Sequence, residues 1–88
     1  MDRLGDFTSR HPAARIPMAC WVETVKTAHW TNFVELRQTY RSADYVGGYI
    51  VFNVGGNKFR IIAAVSYQLQ RVLISKVMTH KDYDRWSP

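Results

Sequence analysis

A single cysteine, Cys20, is all the thiol chemistry in this 88-residue chain. That excludes a disulfide framework and a cysteine-rich zinc site, and it suits a reducing compartment. No run of about 18 apolar residues occurs, so no membrane-spanning helix is expected. The opening residues Met1-Asp-Arg-Leu-Gly-Asp6 lack the basic-then-apolar order of a secretory signal. A cytoplasmic protein without membrane contact is the expectation. Histidine is also scarce. His11, His29 and His80 are scattered, with no pair at metal-ligand spacing, so no metal or other cofactor is expected. Acidic residues are missing from most of the second half, with none between Asp44 and Asp82.

Basic residues fill that acidic gap. Lys58, Arg60, Arg71, Lys76 and Lys81 all lie in it, while the first half is nearly balanced. The formal charge is +5 and the pI about 9.7. Positive charge gathered in one part of the chain suits a polyanionic partner such as RNA. No helix is basic enough along one face to read a DNA major groove, which makes a DNA-binding domain the weakest reading.

The hydrophobic share of 47% and the aromatic share of 14% are those of a globular chain of one domain, residues 1–88. Residues 2–10 read as a short helix with Leu4 and Phe7 on one side, ended by His11-Pro12. Met18, Trp21, Val22, Val25 and Ala28 form the stripe of a second helix that starts between 13 and 17 and runs to 28. Asn32 and Glu35 have capping-box spacing for a third helix over 33–40, buried through Phe33, Leu36 and Tyr40. Residues 41–48 read as irregular chain and loop.

The period then changes to two. Strands are expected over 49–54, 58–67 and 71–79, with Gly55-Gly56-Asn57 as the hairpin reversal. Simple alternation puts Phe59, Ile61, Ala63, Val65 and Tyr67 on one face of the second strand, and Lys58, Arg60, Ile62, Ala64 and Ser66 on the other. In the third strand it puts Val72, Ile74, Lys76, Met78 and His80 together. The tyrosines at 40, 45 and 49 and the tryptophans read as core or core edge. Helices followed by an antiparallel meander make an α+β fold with the helices on one face of the sheet.

Lys58, Arg60 and Lys76 are candidates for one cationic face. Three like charges there repel, and a phosphate between them would relieve that repulsion. A guanidinium can hold two phosphate oxygens, which singles out Arg60. A solvated strand face explains such cations equally well. Histidine is the side-chain type best suited to proton transfer, which makes His80 a candidate, although a strand-end histidine bonded to backbone is as common. Tyr83 follows it by three residues, one helical turn away. Asp82 and Asp84 read as solvated tail charges. Gly55-Gly56-Asn57-Lys58 is no phosphate-binding loop, since the Gly-x-x-x-x-Gly-Lys spacing and the following helix are absent.

Phe52-Asn-Val-Gly-Gly-Asn-Lys-Phe-Arg60 together with Met78-Thr-His-Lys-Asp-Tyr-Asp84 closely resembles the HigB-type toxins of bacterial toxin–antitoxin pairs, within the RelE-like superfamily. Similar text extends upstream through Arg10-His-Pro12, Trp21, Trp30-Thr-Asn-Phe33 and Ser42-Ala-Asp-Tyr-Val46. The resemblance implies a RelE-like fold and an mRNA interferase that cuts translated mRNA on the ribosome, without metal, by 2′-hydroxyl attack on the adjacent phosphate. It implies Arg60, His80, Tyr83 and Lys76 as catalytic candidates, and Lys58, Arg60, Lys76 and Lys81 as contacts to RNA or phosphate. It implies mRNA and ribosomal RNA as partners. It also implies a HigA-like helix-turn-helix antitoxin, with operator DNA met only through the complex. Relatives usually begin with a short strand that Met1-Asp-Arg-Leu-Gly-Asp6 does not provide, so an edge strand is expected to be missing. The alternative is a degenerate module that binds RNA or antitoxin without cutting.

Overall fold

The computed structural model describes residues 3–86. Helix α1 (Arg3–Arg10) is followed by a 3₁₀ turn (Pro12–Ala14), then α2 (Arg15–Thr27) and α3 (Phe33–Thr39). Strands β1 (Asp44–Val46), β2 (Tyr49–Val54), β3 (Phe59–Ser66) and β4 (Arg71–Thr79) form one antiparallel sheet in the order β1-β2-β3-β4. A single turn of helix, α4 (His80–Tyr83), continues from β4. The expected α+β architecture is present.

The helices form where the sequence supplies starts and stops. Asn32 Oδ1 accepts from Glu35 N at 2.9 Å and caps α3. The return bond goes from Thr31 N to Glu35 Oε1 at 2.9 Å, one residue earlier than in a standard capping box. That bond holds the Glu35 carboxyl below the usual carboxylate range. Pro12 opens the 3₁₀ turn, so regular α2 begins at Arg15, and Pro17 sits in its first turn, where no intrahelical donor is lost. His11 is half-buried, with its ring stacked on Phe7 at 4.4 Å. Asp2, the expected start of α1, lies outside the described residues.

Three expectations about the sheet change. Asp44–Val46 is a strand where irregular chain was expected. Gly47 and Gly48 have φ of 58° and 88°, and this tight reversal pairs Val46 with Tyr49. Lys58 is not in β3, because the hairpin turn takes up all of Gly55 to Lys58 and the strand begins at Phe59. Tyr67 likewise falls in the turn after β3.

The third change concerns β4. Ile62 pairs with Lys76, but Ala63 pairs with Ile74, so Ser75 is an extra residue. The bulge splits the expected single face. Val72, Ile74 and Val77 pair with Val65, Ala63 and Ile61 on the core side. Lys76 and Met78 pair with Ile62 and Arg60 on the opposite side.

The core lies between α1–α3 and the sheet. Leu4, Phe7, Met18, Trp21 and Leu36 from the helices meet Ile50, Phe52, Val54, Phe59, Ile61 and Ala63 from the strands. Phe52 anchors it with Trp21 and Tyr40 edge-on, each at 5.3 Å. Truncating a ring so placed typically costs about 3–5 kcal/mol. Tyr45, read as core edge, is instead 62% exposed. Arg3 Nε donates to Ile74 O at 3.2 Å and ties α1 to β4, the last strand of the sheet. Among the described residues no strand precedes α1.

The hairpin glycines give a direct test. A Cβ on Gly55 would lie 2.9 Å from Phe59 Cδ2 and 3.4 Å from Pro17 Cβ, whereas one on Gly56 meets nothing within 4 Å. Their φ angles are +70° and +61°. Gly56→Ala should cost about 1–2 kcal/mol in urea denaturation, the strain of a left-handed residue. Gly55→Ala should cost more, because Phe59 must leave its place beside Phe7. Equal losses would show that Phe59 yields freely.

Burial raises the hydroxyl pKa of Tyr40, against a smaller opposing pull from its hydrogen bond with Thr24. Burial shifts Tyr67 the same way. The unfolded chain therefore ionises first, near pH 10. The stability these hydroxyls contribute is complete below that pH and is lost as pH rises through the folded-state pKa. Denaturation midpoints should fall above about pH 10, and less steeply for Tyr40→Phe. Parallel curves would refute the shift.

Candidate active site

The sheet face away from α1–α3 carries the candidate residues. By register, Tyr49, Val51 and Asn53 of β2, Arg60 and Ile62 of β3, and Lys76 and Met78 of β4 share it. Val51 and Ile62 are buried even here. Residues at and after the end of β4 add aromatic rings. Trp86 stacks on Tyr83 at 5.9 Å and meets Tyr49 edge-on at 6.5 Å. Trp86, read with the other tryptophans as core or core edge, thus belongs to the opposite face.

Arg60 is the centre of this face and is only 5% exposed. Nη1 donates to Asn57 O and Phe59 O, both at 3.1 Å. Nη2 donates to Asn57 Oδ1 at 2.7 Å and lies 2.8 Å from His80 Nδ1. The guanidinium carbon sits 5.4 Å from the centroid of the Tyr83 ring. Four acceptors thus match the four Nη hydrogens. A phosphate approaching this side chain meets only Nε–H, unless those bonds open. The two-oxygen grip expected of Arg60 is not available in this arrangement.

Local structure explains the cluster. Asn57 has φ of 81°, a left-handed conformation that asparagine tolerates, and there both its side-chain oxygen and its carbonyl face Arg60 three residues on. His80 is placed by its backbone, whose N–H donates to Lys58 O at 2.8 Å and so joins α4 to the hairpin turn. Thr79 Oγ1 accepts from Asp82 N at 3.2 Å and caps α4. His80 Nδ1 also lies 3.9 Å from Asp84 Oδ1, with the two side chains 46% and 63% exposed.

The cations stand around this centre. Lys76 is exposed, one rung along the sheet from Arg60, on the face where the bulge puts it. Lys58 is exposed in the hairpin turn and Lys81 is exposed on α4. Sequence reasoning had not given Asn57 a role beyond the turn, nor Asp84 one beyond solvation. The spacing Asn57-x-x-Arg60 at a left-handed position was the signal available. Among the described residues, no three His, Cys, Asp or Glu side chains gather as a metal site would require. The face brings together a buried cation, exposed lysines, the His80 imidazole and the Tyr83 phenol.

Residues 14–86 match the family model for HigB_toxin, the RelE-like toxic component of a toxin–antitoxin system. The chain belongs to this HigB toxin family. It is 32% identical over 84 residues to the mRNA interferase toxin HigB of Escherichia coli (strain K12), covering 92% of this chain and 81% of that protein. Identity and coverage are the same for the mRNA interferase HigB of Shigella flexneri. The mRNA interferase HigB of Escherichia coli O6:H1 is 23% identical over 79 residues, or 86% of this chain and 77% of its own length. Membership in the HigB family makes this chain the toxic half of a toxin–antitoxin pair, with an antitoxin as partner. Among the described residues no helix is long and apolar enough to cross a membrane.

Asn57 tests the cluster. Asn57→Gly keeps the left-handed turn and removes one acceptor from a buried cation, and it should cost about 1.5–3 kcal/mol in urea denaturation. A loss below about 0.5 kcal/mol, the usual range for a surface change, would mean that the Asn57 side chain does not hold Arg60.

Proposed function

We propose that this toxin is a ribosome-dependent mRNA endoribonuclease acting in the cytoplasm. It cuts translated mRNA by attack of a 2′-hydroxyl on the adjacent phosphate. The 2′-oxygen–phosphorus bond forms, the bond to the 5′ oxygen breaks, and a cyclic phosphate and a free 5′-hydroxyl result. The proton of the 2′-hydroxyl passes to a group on the toxin face, and a proton is returned to the 5′ oxygen. Transient negative charge on phosphorus is met by Lys76, with Lys58 and Lys81 further out, in the setting where fixed cations contribute most to rate. His80 and Tyr83 supply the hydrogen bonds and proton exchange.

The observation that carries this reading is the convergence of Arg60, Lys76, His80 and Tyr83 on one face, in a chain whose relatives carry the name mRNA interferase. The basic second half serves ribosomal RNA as well as mRNA. A HigA-like helix-turn-helix antitoxin neutralises the toxin, and operator DNA is bound only through the complex.

Production of the chain without its partner should arrest growth, and 5′-end mapping should find new cuts in mRNA only when ribosomes are present. His80→Ala should slow cleavage by about 10²–10³-fold, the range of a lost hydrogen-bond donor to developing negative charge. Lys76→Ala should slow it by about 10²–10³-fold, the range of a lost charge stabiliser. Intact mRNA alongside tight antitoxin binding would instead identify a binding module that does not cut.

A further inference from the structure

We propose that Arg60 is a positioning residue for His80 rather than a phosphate ligand. By donating Nη2–H to Nδ1 it fixes the imidazole as the Nε2–H tautomer, so that His80 shows the RNA an N–H and not a lone pair.

The argument begins with what a guanidinium can do. It has donors and no acceptor. A distance of 2.8 Å between Nη2 and Nδ1 therefore means that arginine donates and Nδ1 supplies a lone pair. Turning the ring over would put a carbon-bound hydrogen against that donor at the same distance. A neutral ring that accepts at Nδ1 must carry its hydrogen on Nε2. A doubly protonated ring would set two N–H groups against each other.

Arg60 has no freedom to move away. It is 5% exposed, and its other three Nη hydrogens go to Asn57 O, Asn57 Oδ1 and Phe59 O. The Tyr83 ring lies over its face. The His80 backbone is anchored by the bond from His80 N to Lys58 O, which fixes where the side chain starts. Asp84 Oδ1 stands 3.9 Å from Nδ1, beyond hydrogen-bond range. It is the acceptor that would draw a proton onto Nδ1 if Arg60 were absent. Arg60 and Asp84 thus favour opposite tautomers, and Arg60 has the shorter contact.

The consequence for catalysis rests on the nuclease reading; the tautomer does not. With its lone pair committed to Arg60, His80 cannot take the proton of the 2′-hydroxyl. Its outward Nε2–H is a fixed donor for an oxygen on phosphorus, and proton abstraction is left to Tyr83 or Lys76. Mutational loss at Arg60 then travels through His80.

Nitrogen-15 NMR of the labelled protein near neutral pH reads the tautomer without reference to activity. The wild-type ring should show a protonated Nε2 and an unprotonated Nδ1. Arg60→Met should lose that pattern in favour of Nδ1–H facing Asp84, and Arg60→Lys, which keeps a donor, should retain more of it. A wild-type ring protonated on Nδ1 overturns the proposal, as does an unchanged tautomer in Arg60→Met. If Arg60→Met does not fold, the wild-type spectrum still decides. In single-turnover cleavage on ribosomes, Arg60→Met with His80→Ala should be no slower than His80→Ala alone. Losses that multiply would show that Arg60 acts on the RNA directly. Absent cleavage with the Nε2–H tautomer in place would sink the nuclease reading and leave the positioning role standing.

Discussion

A buried guanidinium that, among the described residues, has no carboxylate paired with it organises this molecule. Moving Arg60 out of water is costly, and among the described residues no acidic side chain forms an ion pair with it. The offset comes from two backbone carbonyls, one amide oxygen, one imidazole nitrogen and one aromatic face. Each of these acceptors dictates something else. The Asn57 oxygens require the left-handed hairpin turn. The imidazole requires β4 to end at Thr79 and α4 to begin at His80. The Tyr83 ring requires that single helical turn to fold back over the sheet. The site and the local fold are therefore one network, in which the same bonds place the proposed chemical groups and satisfy the buried charge.

The candidate site is an open face rather than a cavity. The cleft lined by Pro17, Cys20, Trp21 and Tyr40 lies between α2, the end of α3 and the hairpin. A smaller one lined by Trp30, Val65, Tyr67 and Val72 lies at the far end of the sheet. Neither includes Arg60, His80 or Lys76. A chain of this size has little volume to spare for a deep pocket.

Much of this was legible in the sequence, and the rest failed for identifiable reasons. The helices were readable because Asn32, Pro12 and the Met18–Trp21–Val25 spacing speak through local geometry. The hairpin was readable because Gly55-Gly56-Asn57 needs positive φ. Strand β1 was missed because three residues are too few for periodicity to register, even with Gly47-Gly48 marking its turn. The split face of β4 was missed because the extra residue, Ser75, has no signature of its own. Its position is set by pairing with β3, which is tertiary information. Arg60 was singled out as a phosphate ligand, and its burial was not foreseen. Local spacing hints at Asn57, but nothing local brings in His80, twenty residues further along the chain.

The bulge at Ser75 has a wider consequence. A strand writes its two faces in alternating positions, and an insertion of one residue changes which set of positions belongs to which face. In β4 the core reads Val72 and Ile74 at even positions and then Val77 at an odd one, while the site reads Lys76 and Met78 at even ones. Both functions are thus encoded in a single frame that slips once. Aligned relatives that differ in length by one residue here would exchange site for core over the whole strand segment. Insertions in this strand are therefore tolerable only in step with β3.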